Sequence, residues 1–146
     1  MRLTTSSNIR LVQDAYAAFG RGDIDAAVQA MHPDIEWHEA EHSLWYERGG
    51  HHGPAAVLAN VFARIPVDFD QFEVAPEAFH DAGETVIVEG RYRGRATDGA
   101  SQLDAQVCHV WRIRDGKLAA FQQYTDTWQF ARVTAAPRTQ GGGPSS

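Results

Sequence analysis

The sequence predicts an α+β domain in which three N-terminal helices pack on a cone-shaped, curved antiparallel sheet, with a short C-terminal helix. Apolar residues recur at helical spacing in the first third of the chain, and from residue 67 onward they alternate with polar residues. Asp-Gly pairs at 98–99 and 115–116 separate alternating segments, and this pair is typical of hairpin turns. Helices followed by consecutive hairpins indicate helices packed on one face of a sheet.

Three helices are predicted ahead of the sheet. The first has an apolar stripe, and Ser7 or Asn8 is placed to cap its start. Asp23 is placed to cap the second helix, and Pro33 to stop it. The third begins at the proline of position 54, where a missing N–H costs little, and closes at Pro66.

Five strands are predicted, the first of them short, at residues 35–39. Further strands are expected at 69–74, 84–95, 103–113 and 117–125, with an irregular segment around Pro76. The two strands with the clearest alternation turn the following residues towards the core: Val86, Val88 and Tyr92, and Leu103, Ala105, Val107, His109, Trp111 and Ile113.

The bulk composition predicts one globular domain in 146 residues, with flexible ends at residues 1–7 and 134–146 around a domain at 8–133. The net charge of -6 disfavours nucleic acid and anionic membranes as partners. No segment approaches the ~20 apolar residues of a membrane-spanning helix. The single cysteine, Cys108, excludes an internal disulfide, so we predict a reducing, cytoplasmic location.

Residues 38–42 read His-Glu-Ala-Glu-His, which matches the zinc-protease pattern. That pattern needs a helix, which places both imidazoles on one face, whereas this segment follows a proline and begins in a predicted strand. On a strand, Glu39 would point away from His38 and His42. We therefore predict no metal site, and keep a metal-dependent enzyme that uses His38 and His42 as an alternative, with His51 and His52 as possible partners of His38.

Three other side chains could carry chemistry. Glu39 shares a strand face with Trp37, and a carboxylate beside an indole in an apolar cavity would have a raised pKa. The plainer interpretation is a surface glutamate at a strand end. His109 lies on an apolar face, either as a structural histidine or as a donor to a ligand. Asp126 and Gln129 resemble a capping box, and a cap at a pocket rim could also meet a ligand.

Several segments together resemble the SnoaL-like group of the ketosteroid-isomerase-like, or nuclear-transport-factor-like, superfamily, over about residues 8–133. They are Phe-Gly-Arg-Gly-Asp at 19–23, Ile-Glu-Trp at 35–37, the stretch 109–117 and Tyr-Thr-Asp-Thr at 124–127. The resemblance implies a cone-shaped barrel with an interior pocket, usually in a homodimer. Members include isomerases, polyketide cyclases, epoxide hydrolases, dehydratases and non-enzymatic binders, so the fold does not decide the function.

The resemblance also assigns roles by position. Glu39 falls where ketosteroid isomerases carry their general-base aspartate, and His109 falls near the aspartate that donates to the oxyanion. The tyrosine of that site would align with Ala15, next to Tyr16. Asp126 matches a catalytic aspartate of limonene-epoxide-hydrolase-like members.

The arginine and aspartate that complete the epoxide-hydrolase triad would fall at Gly90 and Tyr92. We therefore do not expect epoxide hydrolysis by that triad.

The leading hypothesis is an acid–base enzyme of the isomerase, cyclase or dehydratase type that acts on a small apolar carbonyl compound without a cofactor. Glu39 would abstract a proton, and His109 would donate to the developing enolate oxygen. A non-catalytic dimer that binds a hydrophobic ligand in the same pocket is the main alternative. The residues expected to contact the ligand are Tyr16, Trp37, Trp45, Phe62, Tyr92, Trp111, Phe121 and Gln123.

Overall fold

A computed structural model describes residues 6–97 and 101–142, with side chains as far as residue 134. Helices α1 and α2 precede strands β1 and β2, three short helical segments lead into β3 to β6, and α5 ends the described chain. Their bounds are α1 Ser7–Gly20, α2 Ile24–Gln29, β1 Met31–His38, β2 His51–His52, α3 Pro54–Asn60, a 3-10 turn Phe62–Arg64, α4 Ile65–Asp68, β3 Phe69–Ala82, β4 Thr85–Ala96, β5 Gln102–Arg114, β6 Lys117–Thr125 and α5 Thr127–Gly142.

The six strands form one sheet in the order β2-β1-β6-β5-β4-β3, so the predicted α+β class is confirmed. Every neighbouring pair is antiparallel except β1 and β6, which run parallel. The helices before β3 pack on the inner face, where the apolar core lies. The predicted inward faces of β4 and β5 are confirmed, since Val86, Val88 and Tyr92 and the alternate residues of β5 from Leu103 to Ile113 are all buried.

The ends of the first two helices differ from the prediction. Ser6, not Ser7 or Asn8, caps α1, since its hydroxyl accepts from the backbone N–H of Ile9. Asp23 does cap α2, but that helix ends before β1 begins, so Pro33 lies inside a strand. Proline has no N–H to donate to a neighbouring strand. The register of the pairing between β1 and β6 shifts between Met31 and Glu36, the stretch that contains this proline.

The predicted third helix is divided into α3, the 3-10 turn and α4. The backbone leaves the helical region at Val61, with φ -120° and ψ -66°, and Pro66 lies in the first turn of α4 rather than after a helix. Proline has no backbone N–H to donate to the carbonyl group of the preceding helical turn. A helix therefore tends to be interrupted just before a proline.

The sheet itself is longer than predicted. Strand β3 continues through Pro76, where the expected irregularity is a register shift between Pro76 and Ala78. Asp115 and Gly116 form the predicted turn with φ of 54° and 69°, the sign that a type I′ hairpin requires. The Asp-Gly pair at 98–99 lies outside the described residues. The last helix begins after Asp126 as expected and continues beyond residue 133, while the flexibility of the chain ends stays a prediction.

Two glycines on β4 allow β3 to lie close to it on either side of Tyr92. A Cβ at Gly90 would collide with the carbonyl oxygen of Ala75, and one at Gly94 with that of Gln71. Tyr92 lies between these two glycines and is buried on the inner face of the sheet.

Candidate functional site

A cavity of about 80 Å³ lies between the helices and the inner face of the sheet. Ten of the eleven side chains predicted to form the site line this cavity, including Glu39 and His109. The other eight are those expected to contact a ligand: Tyr16, Trp37, Trp45, Phe62, Tyr92, Trp111, Phe121 and Gln123. The alternation of the strands and the stripe of α1 therefore turn these residues into one shared interior.

Glu39 follows the last residue of β1 and is 3% exposed. Its Oε2 accepts a hydrogen bond of 2.6 Å from the indole N–H of Trp37, two residues earlier on the same face. Its Oε1 is buried and has no hydrogen-bond partner. Burial raises the pKa of Glu39 from 4.5 to about 7, against the lowering effect of Trp37 and of the Gln123 amide beside it. The carboxylate oxygen that lacks a partner is therefore available to a molecule in the cavity.

His109 lies in the middle of β5, and hydroxyl groups flank both of its ring nitrogens. Nδ1 is 2.5 Å from the hydroxyl of Tyr16, and Nε2 is 2.6 Å from the hydroxyl of Tyr92. Burial lowers the pKa of His109 from 6.5 to about 3. The imidazole is therefore neutral at physiological pH, with one donor and one acceptor nitrogen.

Each tyrosine hydroxyl also accepts a hydrogen bond from a group that can only donate to it. The indole N–H of Trp111 donates to Tyr16 over 2.9 Å, and the Gln123 amide donates to Tyr92 over 2.8 Å. The orientation of that amide is fixed, because its Oε1 accepts from the backbone N–H of Ala40 over 3.1 Å. We call Trp111, Tyr16, His109, Tyr92 and Gln123 the histidine array.

The hydroxyl groups of the array stay protonated over the physiological pH range. Burial raises the pKa of Tyr16 and of Tyr92 above the ordinary value of 10.0, and the charge of Glu39 adds to the rise at Tyr92. The array therefore offers O–H and N–H groups and no anion.

The walls of the cavity are aromatic. The ring of Trp37 stacks on Phe121 at 3.8 Å between centroids and meets Phe62 and Trp111 edge to face. Such packing holds large apolar side chains in place, so the polar groups occupy a confined part of the surface.

The segment between β1 and β2 closes one side of the cavity. The indole N–H of Trp45 donates to Asp68 over 2.9 Å, and the indole ring packs against Phe69 and Phe72. The Nε2–H of His51 donates to the carbonyl oxygen of Trp45 over 2.9 Å. These contacts make the segment a rim that is anchored to the domain.

Asp126 is not brought into this group. Its Oδ1 accepts from the backbone N–H of Gln129 over 3.1 Å at the start of α5, so the predicted cap is present. The side chain is exposed and lies in a groove on the outer face of the sheet, away from the cavity.

The His-Glu-Ala-Glu-His segment is not helical. Glu39 turns into the cavity, whereas His38 lies outside against Gly50 with its Nε2 3.7 Å from Glu36. The Nε2–H of His52 donates to the carbonyl of Gly49. Within residues 6–97 and 101–142, no three His, Cys, Asp or Glu side chains lie close enough together to hold a metal ion.

Sequence reasoning did not name several apolar side chains that also line the cavity. Phe72 and Val74 come from β3, where their alternation was a usable signal, and Ile65 comes from α4. Met31 lies at the start of β1, in a stretch predicted to belong to the second helix, whose end was expected at Pro33. The contacts of His109 with two tyrosines were also missed, because no local pattern reports a contact across 93 residues.

Comparisons with known proteins agree with this geometry. The SnoaL-like domain family matches residues 12–121. An NTF2-like protein from Burkholderia thailandensis is 34% identical, with a TM-score of 0.82 over 88% of this chain and 98% of the other. TerC, co-crystallised with polyporic acid, is 30% identical, with a TM-score of 0.79 over 88% of this chain and 98% of the other.

A protein from Catenulispora acidiphila with a ketosteroid isomerase-like fold, in complex with trimethylamine, is 17% identical, with a TM-score of 0.71 over 85% of this chain and 91% of the other. Its likeness concerns the fold alone. A comparison with curated proteins gave no match. Across the part of the chain that the structure describes, no helix is long and apolar enough to cross a membrane. The chain belongs to the SnoaL-like domain family and has the NTF2-like, or ketosteroid-isomerase-like, fold.

Proposed function

We propose that this protein is an acid–base enzyme of the isomerase, cyclase or dehydratase type that acts on a small, apolar, carbonyl-bearing molecule. The observation that carries the proposal is the unpartnered Oε1 of Glu39, which is buried in the same cavity as the histidine array. One group can take a proton and the other can donate a hydrogen bond, and both are withdrawn from water.

In the proposed reaction, Glu39 removes a proton from the carbon next to the carbonyl group. The electron pair of the broken C–H bond forms a C=C bond, and the carbonyl π pair moves onto oxygen. The histidine array stabilises this enolate oxygen by hydrogen bonding. For isomerisation, Glu39 returns this proton to a conjugated carbon. For exchange, a deuteron from D₂O first replaces the carboxyl proton, and Glu39 delivers that deuteron to the original carbon. Groups positioned in this way contribute about 10² to 10⁴ in rate.

The pKa of Glu39 suits the base role near neutral pH. A pKa of about 7 leaves close to half of the carboxyl groups ionised at that pH. A carboxylate with a raised pKa is also a stronger base than one with the ordinary value of 4.5.

The cavity favours a neutral, compact substrate. Its described lining contains no lysine or arginine, so a carboxylate or phosphate would have no cation to offset its desolvation and would face Glu39. Its volume of about 80 Å³ is roughly half of the ~150 Å³ cavity that holds benzene. TerC, which was co-crystallised with polyporic acid, supports an organic molecule as the ligand of this fold.

The proposal is tested by hydrogen–deuterium exchange of the small ketones acetone and butanone in D₂O, followed by proton NMR. We expect the purified protein to accelerate exchange at the carbons next to the carbonyl, with a rate that rises with pH through about 7 as Glu39 ionises. If the ketones bind, as seen by NMR line broadening, but do not exchange at any pH, the protein is a binding module and not this enzyme.

The homodimer implied by the family resemblance and the cytoplasmic location stay predictions. The outer face of the sheet carries both acidic and basic side chains, such as Glu89, Arg91 and Asp104.

A further inference from the structure

The three central members of the histidine array, Tyr16, His109 and Tyr92, carry one more hydrogen than the two hydrogen bonds between them use. A neutral imidazole carries one N–H, and each tyrosine carries one O–H, which gives three hydrogens for the two links that His109 makes. His109 must therefore donate to one tyrosine and accept from the other.

The tyrosine that accepts from His109 keeps its own hydrogen unused. The groups of Trp111 and Gln123 that contact the tyrosines cannot take this hydrogen, because an indole N–H and an amide NH₂ donate hydrogen bonds and do not accept them. If His109 carries its hydrogen on Nδ1, the spare O–H is that of Tyr16, and if on Nε2, it is that of Tyr92. The tautomer of His109 thus selects which hydroxyl can donate to a ligand.

Glu39 distinguishes the two arrangements. Gln123 lies beside Glu39 and donates to Tyr92, which places the Tyr92 hydroxyl on the side of the array near the carboxylate. In a dry cavity, the tautomer that places the spare hydroxyl hydrogen nearer to a negative charge has the lower free energy. With Glu39 ionised, the spare hydrogen is expected on Tyr92, while Tyr16 donates to Nδ1.

We infer that His109 is a positioning residue whose Nε2–H tautomer frees the hydroxyl of Tyr92 to donate directly to the ligand oxygen. This inference rests on the proposed function for the identity of that oxygen. It assigns the direct donor role to Tyr92, with His109 acting through it. The ligand class follows as a molecule with a carbonyl-type acceptor adjacent to the C–H that faces Glu39.

The tautomer is measured by nitrogen NMR of protein labelled at its histidine nitrogens, with the His109 signals identified by their absence in His109→Gln. Above pH ~8, where Glu39 is ionised, we expect one set of neutral imidazole signals, with the hydrogen on Nε2 and Nδ1 as the acceptor. A hydrogen on Nδ1 in that pH range, or an imidazolium signal there, would overturn the inference. This readout needs no substrate, so it can fail or succeed independently of catalysis by Glu39.

The donor is identified by the infrared carbonyl stretch of carbon-labelled acetone bound to the protein, because a hydrogen bond lowers that frequency. We expect Tyr92→Phe to abolish the lowering and Tyr16→Phe to retain it. In the exchange assay, Tyr92→Phe should slow turnover about 10² to 10³-fold, the usual effect of removing one oxyanion donor. A carbonyl shift lost in Tyr16→Phe and retained in Tyr92→Phe would overturn the assignment. If Tyr92→Phe does not fold, the tautomer measurement on the unaltered protein decides the question.

Discussion

Replacing Glu39 with glutamine is expected to reduce ketone exchange by about 10² to 10⁴-fold, which is the contribution of a positioned general base. Glutamine keeps the size of the side chain, and its carbonyl oxygen can still accept from the indole N–H of Trp37. It cannot take up a proton from carbon. Ligand binding should therefore change little, because the aromatic walls and the histidine array are retained.

Glu36→Gln is the matched control for that variant. Glu36 lies on β1, three residues before Glu39, but its side chain is 59% exposed and outside the cavity. The control should exchange acetone at the unaltered rate. Exchange at the unaltered rate in Glu39→Gln would remove Glu39 from the mechanism.

The substitution Glu39→Gln is also expected to stabilise the fold at alkaline pH. The pKa of Glu39 is raised in the folded state, so the folded protein holds this proton more tightly than the unfolded chain does. The resulting stabilisation is complete below pH 4.5 and is lost as pH rises to about 7. A pKa raised from 4.5 to about 7 corresponds to roughly 3 kcal/mol in the free energy of unfolding.

His109 contributes in the opposite direction. Its folded-state pKa of about 3 lies below the ordinary 6.5, so its contribution is complete above pH 6.5 and is lost as pH falls towards 3. Between 4.5 and 6.5 the two residues offset each other in the unaltered protein. A stability curve of that protein alone would therefore hide the effect of Glu39.

Urea denaturation of Glu39→Gln and of the unaltered protein, compared at each pH, removes the common contribution of His109. We expect the free energy of unfolding of the variant, relative to the unaltered protein, to increase by about 3 kcal/mol between pH ~4.5 and pH ~8. Glu36→Gln should run parallel to the unaltered protein. A difference that stays constant with pH would mean that Glu39 ionises as it does in water.

Much of this site follows from strand alternation. A period of two places Trp37 and Glu39 on one face, and the same rule places His109 and Trp111 inside. The cap formed by Asp126 is also local, because a helix start needs only a side chain and the N–H groups that follow it. These features depend on neighbours in sequence, and sequence therefore predicts them.

The contacts between distant segments could not be predicted in this way. Tyr92 and His109 lie on neighbouring strands, but only the register, in which Tyr92 pairs with Ala105 and Val88 with His109, brings their polar atoms together. Tyr16 reaches His109 from a helix 93 residues away. The hydrogen count of the histidine array exists only once both contacts are known.

Helix boundaries failed for a different reason. Ser6, Ser7 and Asn8 are all competent caps, so composition does not choose among them. The apolar face of residues 54–65 continues across Val61, although the backbone there is no longer helical. Hydrophobic spacing reports which side of a segment is buried and is a weaker guide to where a helix is interrupted.

The burial of Glu39 in a ligand cavity is the central claim, and a carbon NMR titration of its carboxyl group tests it most directly. The resonance can be identified by its absence in Glu39→Gln. We predict a midpoint close to pH 7, far from the value of a solvated glutamate. A midpoint near 4.5 would mean that water reaches the carboxylate. That result would contradict both the burial of Glu39 and its proposed role as the base.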